Sequence, residues 1–200
     1  MPFQNRVTPL GELIATPERG LVYGNRGLLH DTNGRIRRDW ELKRWISCRL
    51  EFRGRRRTGG PMPPGRYTGL FFLDEATAFA AGHRPCAECR RDDYVRFMAL
   101  VGETRAGAID ERLHRERLGA KPERDIASLP DGAFVLCDGE PWLVLGGELV
   151  RWTSGGYNER RPVAGRATLL TPPSVLPVLE SGWNGAVPFL HPSAPFRVAP

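Results

Sequence analysis

Gly82-His83-Arg84-Pro85-Cys86-Ala87-Glu88-Cys89-Arg90-Arg91 holds the only Cys-x-x-Cys of this 200-residue chain. Two cysteines at this spacing bite one metal ion with little backbone strain, and zinc takes four such ligands in a tetrahedron. The motif supplies half of that set. Upstream, Tyr67 to Leu73 is an apolar run that reads as a strand. Asp74 is placed to cap a short helix from Glu75 to Ala81, which Gly82 would end in a left-handed conformation. Downstream, Asp92 or Asp93 starts a second helix. Its Tyr94, Phe97, Met98 and Val101 recur at helical spacing and form one apolar stripe.

The remaining ligands must come from elsewhere in the chain. Residues 1–20 read as an irregular lead-in. Residues 21–30 read as a strand broken by a turn, and Asp31-Thr32-Asn33-Gly34 is a hairpin signal. From Ile46 the pattern alternates through Cys48, Leu50 and Phe52, which predicts a half-buried strand with Cys48 on its inner face. Cys48 is therefore the best third ligand. His30 and His83 compete for the fourth place, with Cys137 behind them as a core thiol. His114 and His191 have surface-like surroundings.

Residues 72–90, Phe-Leu-Asp-Glu-Ala-Thr-Ala-Phe-Ala-Ala-Gly-His-Arg-Pro-Cys-Ala-Glu-Cys-Arg, resemble the second half of the zinc-binding domain of the Ada-type DNA methyltransferases. That half is a strand, a short Ala-rich helix, Gly, an aromatic-Arg-Pro-Cys segment and a second Cys. Tyr23-Gly24-Asn25 and Leu28-Leu29-His30 resemble the opening of related stand-alone modules. The resemblance covers about residues 21–91. It implies a zinc ion held by His30, Cys48, Cys86 and Cys89. The sequence departs from the family in having only Cys48 upstream of the pair and a long His30-to-Cys48 interval.

The chain carries 29 Lys and Arg against 23 Asp and Glu, a net charge of +6. Between Arg35 and Arg57, ten cations face three acids, so the excess is local. Residues 53–66 form a basic, Gly/Pro-rich loop. Arginine forks pair with phosphate, so Arg53, Arg55, Arg56, Arg57 and Arg66, with Arg84, Arg90 and Arg91 around the knuckle, are candidate nucleic-acid contacts of the backbone kind. Trp40 and Trp45 are candidates for stacking on bases.

A charged helical stretch over 108–118 has a weak stripe and reads as a surface connector. Residues 122–130 read as a boundary. Beyond them, apolar runs separated by Gly-containing turns predict a β-meander from Ala133 to Trp152, then a strand over 167–170, a short closing helix from Ser174 and a proline-rich tail. His191-Pro192-Ser193 in that tail has no partner carboxylate in view and reads as structural.

The expected fold is α+β. A zinc-stabilised N-terminal module over 1–120 is followed by a β-rich, barrel-like module over 121–200. No membrane-length apolar run and no signal-peptide core are present, which points to a cytoplasmic chain with reduced thiols. No Walker loop, dinucleotide fingerprint or nucleophile elbow occurs. The expected function is a zinc-binding protein that contacts nucleic-acid phosphates. One rival is a repair or nuclease-type enzyme that uses a zinc-bound thiolate or water. The other is a protein-interaction module with zinc only for folding.

Overall fold

A computed structural model describes residues 2–57 and 64–194. The loop read over 53–66 and the proline-rich tail therefore lie partly outside the described residues. In chain order the elements are β1 (Gln4–Val7), β2 (Leu13–Ala15), β3 (Val22–Asn25), β4 (Ile46–Cys48), β5 (Glu51–Phe52), β6 (Arg55–Arg56), β7 (Leu70–Phe72), α1 (Glu75–Ala80), β8 (Arg84–Pro85), α2 (Arg91–Leu100) and α3 (Ala106–Leu118). There follow β9 (Glu123–Asp125), β10 (Phe134–Cys137), β11 (Glu140–Leu145), β12 (Glu148–Thr153), β13 (Gly156–Pro162), β14 (Arg166–Leu169) and α4 (Leu176–Glu180). The fold class is α+β, as expected.

The first sheet is mixed and runs β2-β1-β7-β3-β4-β8. Here β1 lies parallel to β7, and β4 lies parallel to β8. The second sheet is antiparallel and runs β13-β12-β11-β10-β14-β9. It is open, with β13 and β9 as its edges, so it is not a closed barrel. A small β5–β6 hairpin stands apart. Its turn, Arg53-Gly54, has positive φ at both residues (52° and 71°), the geometry that matches the twist of a tight hairpin.

Helix α1 joins the two sheets. All six of its residues are buried, and the Asp74 carboxylate caps it by accepting from the Thr77 N–H at 2.8 Å. Ala78 and Ala81 face the first sheet, beside Val22 and Phe72. Ala76 and Ala80 face the second, beside Phe134 and Leu143. Small side chains at these positions let both sheets approach the helix closely. Phe79 enters a third cluster with Phe97, Ile109, Leu113 and Trp183. Full burial of such a ring contributes roughly 1.5–3 kcal/mol.

This packing corrects two expectations. Residues 1–20 supply β1 and β2 instead of an irregular lead-in, anchored by buried Val7 and Leu13. Helix α3 is no surface connector, because Ile109 and Leu113 are fully buried against the second sheet. Strand β9 falls inside the stretch read as a boundary, and residues from both sides of residue 120 share each of the two largest clusters. The second sheet is covered on both faces: Phe134 and Leu143 point to one cluster, Val135 and Val144 to the other.

Candidate metal centre

Strand β4 pairs with β3 so that Cys48 lies opposite Tyr23. On its other side β4 runs beside β8, and the Cys86 N–H donates to the Ser47 carbonyl at 2.9 Å. This pairing brings the Cys-x-x-Cys turn to the strand that carries Cys48. The Arg90 N–H then closes the turn on the Cys86 carbonyl at 3.0 Å. The three sulfurs of Cys48, Cys86 and Cys89 lie within 4.8 Å of one another, and all three residues are buried.

Two buried features hold the knuckle. Gly82 has φ 77°, and a Cβ there would meet the Arg117 side chain at 2.5 Å, so both backbone and space call for glycine. Arg90 is buried and donates to Ser47 Oγ at 3.0 Å, to Asp93 at 2.8 Å and to Glu75 of α1. Glu75 also accepts from Trp183 Nε1 at 3.0 Å. Burial raises the Glu75 pKa to about 7 against the pull of Arg90. The knuckle is thus tied at once to β4, α1 and α2.

Hydrogen bonds from Cys48 and Cys89 favour a Cys86 thiolate and lower its pKa. Its bonds to Cys86 and Cys89, with burial, push Cys48 well above the ordinary thiol range. A bound cation would favour the thiolate form of these ligands. A metal at about 2.3 Å from each sulfur in tetrahedral geometry sets the sulfurs roughly 3.8 Å apart, inside the 4.8 Å within which the three lie. The donor set fits a thiophilic metal ion.

Of the expected ligands, the structure gathers Cys48, Cys86 and Cys89. It does not bring in His30. His30 Nδ1 hydrogen-bonds Thr68 Oγ1 at 2.6 Å. Among the described residues, no fourth His, Cys, Asp or Glu side chain joins the group. His83 is buried elsewhere: its Nε2 accepts from Arg26 Nε at 3.2 Å, between Phe72 and Trp45. Cys137 is distant, at the end of β10.

Beside the thiols is a cavity of about 450 Å³ lined by Cys48, Cys86, Tyr23, Tyr67, Arg44 and Arg57. Arg57 was expected as a phosphate contact. Instead its guanidinium donates to the Arg49 carbonyl (2.6 Å) and lies 4.6 Å from the Tyr23 ring centre, and the nearby Cys48 and Cys89 sulfurs raise its pKa. It balances negative charge on the cluster. Tyr23, which the sequence offers only within the Tyr23-Gly24-Asn25 resemblance, and Tyr67, at the start of an apolar run, are not among the expected site residues; the available signal is that Tyr23 lies on the strand facing Cys48.

The other expected arginines divide. Arg84 and Arg90 are removed from the nucleic-acid set. Arg84 makes a bidentate pair with Asp110 at 2.7 and 2.9 Å, its side chain 3% exposed, and Arg90 is committed as described. Arg53, Arg55, Arg56, Arg66 and Arg91 are exposed. Arg53 lies 3.7 Å from Glu88 of the knuckle, which sets the β5–β6 hairpin beside the metal centre. Trp45 is also unavailable to bases, being buried with the Arg26 and Arg117 guanidiniums 3.8 and 4.1 Å from its ring centre. Trp40 stacks edge-on against His114, which is buried despite its surface-like sequence context.

No family model, curated protein or solved structure matches the chain. Among the described residues, no helix is long and apolar enough to cross a membrane.

Proposed function

We propose that the chain is a zinc protein whose Cys48–Cys86–Cys89 centre rigidifies an arginine-bearing surface for contact with nucleic-acid phosphates. The observation that carries this reading is the cluster of three buried thiols beside the Arg53–Arg56 hairpin. Thiolate-rich sets select zinc among the common divalent ions. Zinc there would bind the thiolates and cross-link β4 to the turn before α2. Three thiolates and one divalent ion carry a net single negative charge, which Arg57 is placed to offset.

The resemblance to the Ada-type zinc domain rests on residues 72–90 and supports the same metal. With His30 held by Thr68, the fourth position is left to a ligand from the cavity. Arg53, Arg55, Arg56, Arg66 and Arg91 are the phosphate contacts in this reading. The test is anisotropy of labelled single- and double-stranded oligonucleotides across a salt series. Each phosphate contact contributes about −0.9 to the slope of log K against log salt on duplex DNA. Replacing Arg55 and Arg56 by Ala should therefore flatten the slope by roughly 2. No binding at low salt would end the nucleic-acid reading while leaving the metal centre untouched.

The cavity at Cys48 and Cys86 favours a second reading, in which a metal-bound thiolate accepts an alkyl group. Thiolates held by a metal stay deprotonated and nucleophilic. Intact mass after incubation with alkylated DNA decides it: an added methyl mass on Cys48 or Cys86 promotes this reading, and an unchanged mass removes it.

A further inference from the structure

We propose that the chain carries a second ligand site, an anion cavity built by Arg26, Arg117 and Trp45 that binds a small apolar monocarboxylate. The cavity is about 470 Å³, within the range of small-molecule pockets. It is separate from the metal centre: Trp45, immediately before β4, lines this cavity, whereas Cys48 lines the other.

Arg26 is fully buried, yet its partners are neutral. It donates to His83 Nε2 (3.2 Å), to the Gly11 carbonyl (2.8 Å) and to the Asp39 carbonyl (3.4 Å). Arg117 donates to the carbonyls of Gly82 (2.6 Å) and Lys43 (2.7 Å). Neither guanidinium forms an ion pair with a carboxylate among the described residues. Three buried donors of cavity-lining side chains have no partner: Arg26 Nη2, Arg117 Nε and Trp45 Nε1.

Buried, unpaired charge is costly and is ordinarily compensated by an ion of opposite sign. Burial, then repulsion by Arg117, lowers the Arg26 pKa to about 9, and burial lowers Arg117 to about 9. An oxyanion between them supplies the missing acceptors. The lining also sets the charge of the ligand. Arg26, Arg117 and Lys121 face Glu12 and Asp39, which leaves room for a single negative charge. Leu13, Ile36, Trp40 and Leu118 supply an apolar lining for the body of the ligand. A carboxylate on an aromatic or branched apolar group fits; a dianionic phosphate meets the two acids.

The test is titration of the full, metal-loaded chain with benzoate, with inorganic phosphate in a parallel arm and chloride at matched ionic strength as control. Tryptophan fluorescence and the melting midpoint are read. Benzoate should saturate both signals, and near a hundred times Kd the midpoint should rise by roughly 5–10 °C. Arg26→Met should abolish the response while preserving zinc content and the far-ultraviolet spectrum. Should that variant fail to fold, Trp45→Phe serves: without the indole donor it should weaken benzoate binding several-fold, read from the concentration dependence of the thermal shift, and an unchanged Kd would overturn the assignment of Trp45 to the site. Saturation by phosphate but not benzoate would overturn the carboxylate assignment. No saturable response beyond that of chloride would overturn the site.

Discussion

Arg84 lies two residues before the Cys-x-x-Cys motif and reads from sequence as a phosphate contact, whereas its geometry makes it part of the framework. Its guanidinium holds Asp110 of α3 through two bonds at 2.7 and 2.9 Å, with the side chains 3% and 11% exposed. Arg84→Ala leaves the Asp110 carboxylate buried without its partner. Breaking a buried pair from one side costs about 3–5 kcal/mol. For a chain of this size each kcal/mol shifts the midpoint by roughly 2–4 °C, so the loss should be about 6–20 °C. Arg84→Met with Asp110→Leu removes both charges and should recover most of that loss. The assay is urea and thermal unfolding, paired with oligonucleotide anisotropy on the folded fraction. The single variant should unfold early but keep the wild-type salt slope. A stable Arg84→Ala variant that binds nucleic acid with a flattened slope would refute the structural assignment.

Two further outcomes follow from the same framework. Asp74 is fully buried and accepts from Thr77 N and Oγ, from Tyr157 Oη and from His191 N at 2.7–2.9 Å. Asp74→Ala removes a helix cap and strands buried donors from the second sheet and the tail. A loss of about 3–5 kcal/mol in a single cooperative transition is expected by urea unfolding; two separate transitions would contradict the shared core. His83 is buried among Arg26, Arg117, Phe72 and Trp45, and burial followed by the two cations lowers its pKa well below 6.5. The unfolded chain then binds the extra proton first. This contribution is complete above about pH 6.5 and should be lost by about 1.4 kcal/mol per pH unit below it. His83→Asn, whose amide oxygen can still accept from Arg26, should remove that part of the slope between pH 7 and pH 5; parallel wild-type and variant profiles would contradict it.

The Asp74 cap, α1, the Gly82 turn and α2 were legible because caps, left-handed glycines and helical stripes are local signals. The clustering of Cys48 with Cys86 and Cys89 was legible because a half-buried strand and a Cys-x-x-Cys turn have few other ways to meet. Strands β1 and β2 were not, since three- and four-residue strands with one apolar anchor apiece leave no periodicity to read. The shared core was hidden because Phe79 of α1 is an ordinary apolar residue until Trp183 packs on it. The roles of Arg57, Arg84 and Arg90 could not be told apart by composition: one lies near thiols, two reach buried carboxylates, and only the tertiary fold supplies those partners. His30 came only from the resemblance, and in the fold its Nδ1 meets Thr68 while the three cysteines gather without it.

Zinc stoichiometry tests the central claim most directly. Elemental analysis of the full chain purified under reducing conditions should find one zinc per chain. Cys48→Ser, Cys86→Ser and Cys89→Ser should each lose it, while Cys137→Ser and His30→Gln keep it. A wild-type chain that neither carries nor takes up metal, or zinc that survives Cys48→Ser and disappears with His30→Gln, would contradict the three-thiol centre.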